Sequence, residues 1–224
     1  MIKKKVFIAI DTNKVAKAKK IIRDTQSNKI KVGYKFGLEF FYSKDGRKFL
    51  SNLKNQTTFL DLKLNDIPNT VGAAVKSLEN LKITYLTAHL SSGLNALRLL
   101  KKEGKNIKIA GVTTLTSLND KDLREIGYNK NVKDLVVHQA KLAKKAKLDA
   151  IVCSGHEVKS VRRVFNKEII TPGIKMQNNK NDQKRSMRPS EAFAAGSDWL
   201  VIGRSITNGN IKKNIQNLLE ILED

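Results

Sequence analysis

The sequence predicts a parallel α/β fold, a single (β/α)8 (TIM) barrel spanning residues 1–224. Three observations carry that expectation. Short β-branched apolar runs recur eight times, amphipathic stretches of helical period separate them, and polar or charged residues gather where the runs end. An open doubly wound sheet would satisfy the first two observations equally well. The third favours the barrel, because closure gathers the ends of all strands around one mouth, whereas an open sheet spreads them along an edge.

The expected strands cover residues 6–10, 30–32, 58–62, 85–88, 107–112, 150–153, 169–171 and 199–202. The first is followed by Asp11-Thr12-Asn13, a cluster able to cap a helix over residues 14–24. Apolar spacing predicts a helix over 38–53, and Pro68 suits the first turn of one over 68–81. Further helices are expected over 93–102, 120–126, 132–147, 157–165, 189–195 and 211–222. Residues 173–188, polar and Asn-rich with no apolar period, read as a long functional loop after the seventh strand, where barrels build phosphate sites. No linker or compositional break marks a second domain.

Lys and Arg number 43 against 21 Asp and Glu, a formal net charge of +22. Such an excess favours anionic ligands. The lysines are spread along the chain and are not interleaved with aromatics, so no nucleic-acid partner is expected. No stretch approaches the ~20 apolar residues of a membrane span, and the N-terminal apolar run is too short for a signal peptide. The lone cysteine, Cys153, reads as a buried strand residue. A cytoplasmic enzyme without a membrane partner is therefore expected.

The chemistry concentrates after the third strand. Asp61 and Lys63 are two residues apart, hence on one side of an extended strand, and unpaired charges there would cost several kcal/mol in a dry core. Asp61 and Asp66 flank Lys63 and would hold it as an ammonium, able to stabilise a carbanion and then protonate it. Asp11, Lys31, His89 and Thr116 add polar groups at the expected mouth. Gly203-Arg204-Ser205 opens a helix after the last strand and suits a phosphate. These residues describe an enzyme that moves a proton at carbon on a small phosphorylated anion, and leave the reaction open.

The segment DLKLNDIPNTV (residues 61–71) closely resembles the signature of the orotidine 5′-phosphate decarboxylase family. AIDT ending at Thr12, KVGYKFGLEFF from Lys31, TAHLSSG from Thr87, GVTTLTSL from Gly111, DAIVCSGHE from Asp149, TPGIK from Thr171, NDQKR from Asn181 and VIGRSIT from Val201 follow in the family's order. The resemblance implies decarboxylation of orotidine 5′-phosphate to uridine 5′-phosphate in pyrimidine biosynthesis, with no cofactor or metal. Lys63 would protonate carbon 6, Asp61 would sit near the departing carboxylate, and Asp66 and Thr70 would reach into a neighbouring subunit's site, implying a homodimer. Asp11, Lys31 and Lys175 would bind the substrate, Lys31 at its ribose; Thr116 would meet the pyrimidine edge; Gln183 would lie on a lid and bridge base and phosphate; Gly203 and Arg204 would take the phosphate. Lys175 departs from the Arg common in bacterial relatives and loses the bidentate fork. Magnesium-dependent sugar-phosphate enzymes of the same barrel group share the Asp-x-Lys-x-x-Asp spacing but carry an acidic ligand near the position assigned to Lys31, and lack the Gln-bearing lid.

Overall fold

The structure, a computed structural model, describes residues 4–176 and 187–223. Among them, β1 (Lys5–Ile10), β2 (Lys31–Gly37), β3 (Thr57–Leu64), β4 (Tyr85–His89), β5 (Lys108–Val112), β6 (Ala150–Val152), β7 (Glu168–Thr171) and β8 (Trp199–Ile202) run parallel, each beside its successor. β8 returns to β1, with Lys5 opposite both Lys31 and Trp199, and the expected barrel closes.

Period-two alternation divides each strand between two cores. On β1, Val6, Ile8 and Ile10 face the helices, while Phe7 and Ala9 face the barrel interior. Phe59, Tyr85, Ala110, Ala150, Ile170, Trp199 and Val201 complete the inner core. Phe7 stacks on Trp199 with ring centroids 4.0 Å apart and meets Tyr85 edge-on at 5.5 Å. This aromatic layer fills the N-terminal half of the barrel, so a cavity has room only towards the strand C-termini.

Glu168 sits under that layer. Its carboxylate accepts from Lys5 at 3.2 Å, Lys108 at 2.7 Å, the Tyr85 hydroxyl at 2.7 Å and the Trp199 indole at 3.2 Å. Burial alone would raise its pKa, but the hydrogen bonds from Lys108, Tyr85 and Lys5 prevail and hold it down at about 2.

β2 differs from the expected 30–32. It extends to Gly37, with Tyr34 and Phe36 turned to the outer core and the alternate positions turned inward. The two glycines hide the strand from an apolar-run reading, yet the interior demands one of them. A Cβ on Gly33 would lie 2.6 Å from Phe7 Cε1 and 2.9 Å from the Thr57 carbonyl oxygen.

The helices pack apolar stripes on the outer core. Val132–Lys145 buries Leu135, Val136, Gln139, Ala140 and Ala143, and Ile211–Glu223 buries Ile211, Ile215, Leu218 and Leu222, both at helical spacing. The expected single helix over 38–53 is two, Leu38–Phe41 and Gly46–Asn52. Between them the chain turns so tightly that a Cβ on Gly46 would lie 1.8 Å from the Phe40 carbonyl oxygen. Among the described residues no helix is long and apolar enough to cross a membrane.

Candidate active site

A cavity of about 330 Å³ opens at the C-terminal end of the barrel, within the range of small-ligand sites. Ala9, Phe59, Val112, Val152 and Val201 are its apolar lining from the strands, and charged side chains surround them. Lys35, from the inward face of β2, places Nζ 3.4 Å from Asp11 Oδ1 and 3.7 Å from Asp61 Oδ2. Lys63 Nζ lies 2.8 Å from the same Asp61 oxygen. Charges therefore alternate along the wall in the order Asp11, Lys35, Asp61, Lys63. The Asp61 and Lys35 side chains are each only 14% exposed, so ion partners on both sides, Asp11 and Asp61 for Lys35 and Lys35 and Lys63 for Asp61, take the place of water.

The backbone at Lys63 is unusual. Its φ is +52°, the left-handed region, which costs a residue with a side chain on the order of 1–2 kcal/mol. The β3–β4 register shifts between Leu60 and Leu64. Such bulges re-aim side chains beside active sites. The Lys63 backbone N–H donates to Thr87 Oγ1 at 2.8 Å, and the Thr87 hydroxyl reaches Asp61 Oδ1 at 3.0 Å. His89, at the end of β4, is near enough to feel the pair: burial first, and the Lys63 ammonium second, hold its imidazole below the usual range against the pull of Asp61.

Elsewhere on the rim, Thr114, Leu115 and Thr116 follow β5, and buried Gln139 fixes this loop by accepting from the Thr114 N–H at 2.8 Å. Gly203 follows β8 with its Cα beside Asp11; a Cβ there would lie 3.3 Å from Asp11 Oδ2. Arg204 and Ser205 continue the wall. Lys175 closes the side after β7, its N–H bonded to the Met187 carbonyl at 3.1 Å. Cys153 also lines the cavity, and burial pushes its thiol well above the ordinary range.

Of the residues singled out from the sequence, Asp11, Asp61, Lys63, Thr116, Lys175, Gly203 and Arg204 thus share one cavity. Lys31 does not. It is the first residue of β2, and its Nζ lies over the Trp199 ring, 5.7 Å from the centroid, at the opposite end of the barrel. Lys35 occupies the mouth instead, since the mouth belongs to the C-terminal end of the strand. Asp66 and Thr70 are exposed and lie outside the cavity lining. The Asp66 carboxylate accepts from the Ile67 N–H at 2.7 Å, and it makes no ion pair with Lys63 among the described residues. Gln183 lies outside the described residues. Lys35, Thr87 and Gln139 were not anticipated. The alternation in KVGYKFG could have revealed Lys35; nothing local distinguishes the other two.

The model of the orotidine 5′-phosphate decarboxylase / HUMPS family matches residues 4–214. The chain belongs to that family. It is 41% identical over 227 residues to an orotidine 5′-phosphate decarboxylase of Wolbachia pipientis, covering 98% of this chain and 99% of the relative. It is 37% identical to one of Carboxydothermus hydrogenoformans, covering 98% and 96%. The crystal structure of the decarboxylase from Lactobacillus acidophilus superposes with a TM-score of 0.85 at 29% identity, covering 99% and 100%. That of Methanocaldococcus jannaschii, complexed with inhibitor BMP, shares the fold with a TM-score of 0.80 at 20% identity, covering 99% and 100%.

Proposed function

We propose that Lys63 is the proton donor in the decarboxylation of orotidine 5′-phosphate to uridine 5′-phosphate, the step of pyrimidine biosynthesis to which family and relatives assign this chain. One observation carries the proposal: an amine held 2.8 Å from a carboxylate on the wall of a cavity sized for a small ligand. The bond between carbon 6 and the carboxylate breaks, carbon dioxide leaves, and the electron pair stays on carbon 6. The Lys63 ammonium neutralises that charge as it forms and then transfers a proton to it; solvent returns the proton to the amine. Asp61 fixes the ammonium and faces the carboxylate of the substrate as a like charge.

Lys35 takes the ribose-binding role expected of Lys31, with Asp11 beside it. Gly203, Arg204 and Lys175 bind the phosphate, and Thr116 meets the pyrimidine. Phosphate binding far from the breaking bond supplies energy that orders the site, which is how remote contacts raise a rate. No cofactor takes part in this reading.

A homodimer belongs to the same proposal, with Asp66 and Thr70 completing the partner's site. Its support is the surface around them. Tyr42 and Ile67 are 75% and 66% exposed, and with Leu38 they follow β2 and β3 at the mouth end, where large apolar side chains mark association surfaces. A cytoplasmic location fits a chain whose one cysteine is a buried free thiol.

The test is loss of the orotate ultraviolet absorbance with purified protein in EDTA. Turnover without added metal is expected. An unchanged spectrum at micromolar enzyme, or activity that returns only with magnesium, would overturn the reading.

A further inference from the structure

We infer that Thr87 is a positioning residue for the proton donor: one buried hydroxyl that sets both the backbone of Lys63 and the carboxylate that aims its amine. The inference rests on the reading of Lys63 given above.

The ladder between β3 and β4 pairs Leu60 with Leu86 and then Leu64 with Ala88. Asp61, Leu62 and Lys63 on one strand therefore stand against Thr87 alone on the other. A bulge of this kind takes backbone groups out of the regular ladder, and a buried N–H without an acceptor is strongly disfavoured. Thr87 Oγ1 is the substitute acceptor for Lys63 N–H, at 2.8 Å.

The hydroxyl has one hydrogen to give, and an ionised carboxylate only accepts. The direction of the second bond follows: Thr87 donates to Asp61 Oδ1 at 3.0 Å. The other oxygen, Asp61 Oδ2, takes Lys63 Nζ at 2.8 Å. The three side chains and one backbone amide form a closed ring. It runs from Lys63 N–H to the Thr87 hydroxyl, across the Asp61 carboxylate, and back to Lys63 through its amine. Within that ring the left-handed Lys63 backbone, at φ +52°, and the plane of Asp61 are fixed together. Thr87 is fully buried and sits behind the cavity wall, so it acts through Lys63 and Asp61 and not on the substrate.

Valine has the shape of threonine but neither donor nor acceptor. Thr87→Val would leave the Lys63 amide and an Asp61 oxygen unpaired, freeing the bulge to relax and the ammonium to shift. The phosphate and ribose groups sit on other strands and would keep their places.

The experiment compares Thr87→Val and Thr87→Ser with the parent enzyme, with Lys63→Ala as control. It measures kcat and KM separately, affinity for uridine 5′-phosphate, and exchange of the carbon 6 hydrogen of that nucleotide in D2O. Thr87→Val is expected to lower kcat and the exchange rate together by about 10²-fold, as a misplaced catalytic group does. KM and nucleotide affinity should stay within about threefold, because ground-state contacts are untouched. Thr87→Ser, which keeps the hydroxyl, should restore most of the loss. A valine variant with unimpaired kcat and exchange, a loss shared equally by nucleotide affinity, or a serine variant as damaged as valine would overturn the inference. Should the valine variant not fold, Thr87→Ala must show the same split between kcat and KM, and its failure to do so counts equally against the role. If Lys63→Ala retains turnover, the reading of Lys63 falls; if it is inactive while Thr87→Val is normal, only the role of Thr87 falls.

Discussion

Lys31 and Lys35 leave the same face of β2, yet one lies over the Trp199 ring at the N-terminal end and the other bridges Asp11 and Asp61 at the mouth. Four residues of strand separate them by about 13 Å. The consequence is a clean division of labour. Lys35→Ala is expected to lower kcat/KM by roughly 10²-fold, since it removes a cation from the charge array, leaving Asp61 with Lys63 as its one ion partner among the described residues and Asp11 to solvent. Lys31→Ala should leave kcat/KM within a fewfold range and cost about 0.5–1 kcal/mol of stability, the worth of an accessible cation–π contact. Steady-state kinetics and urea unfolding of the two variants check this directly.

Glu168 should make stability pH-dependent in acid. Its folded-state pKa of about 2 lies below the ordinary value of 4.5. A depressed carboxyl contributes stability that is present above pH 4.5 and is lost as pH falls towards 2. The contribution is at most about 3 kcal/mol, and exposure at the barrel end reduces it. Urea unfolding of the parent protein and Glu168→Gln, followed across that window, should show the difference between them shrinking as pH falls. A constant difference would mean that Glu168 does not titrate there.

If Asp66 serves the partner's site, two inactive chains can repair each other. Lys63→Ala and Asp66→Ala should each be inactive alone. When mixed and allowed to exchange subunits, half the dimers are mixed and each holds one intact site, so about a quarter of parental activity should return. No recovery despite demonstrated exchange would place Asp66 in its own chain's site or outside the chemistry.

The barrel was legible because each strand but one announces itself as an apolar run, and because Asp11, Asp61, Lys63, Gly203 and Arg204 stand where those runs stop. β2 was obscured by Gly33 and Gly37; at Gly33 the interior has no room for a side chain. Lys31 was thus expected at the mouth, where the structure places Lys35. Asp61 and Lys63 were rightly read as a pair, but for an incomplete reason. An extended strand puts both on one side; the structure pairs them across a bulge with Lys63 in left-handed backbone. Thr87, Gln139 and Glu168 act through bonds that cross 26, 25 and up to 163 positions of sequence. No local pattern encodes such partners, and a threonine in a buried strand looks like any other.

Turnover by Lys63→Ala, followed by orotate absorbance alongside a binding titration with uridine 5′-phosphate, probes the role of the amine most directly. The expected result is no measurable decarboxylation with nucleotide binding retained in part. Near-normal turnover by that variant would contradict Lys63 as the proton donor.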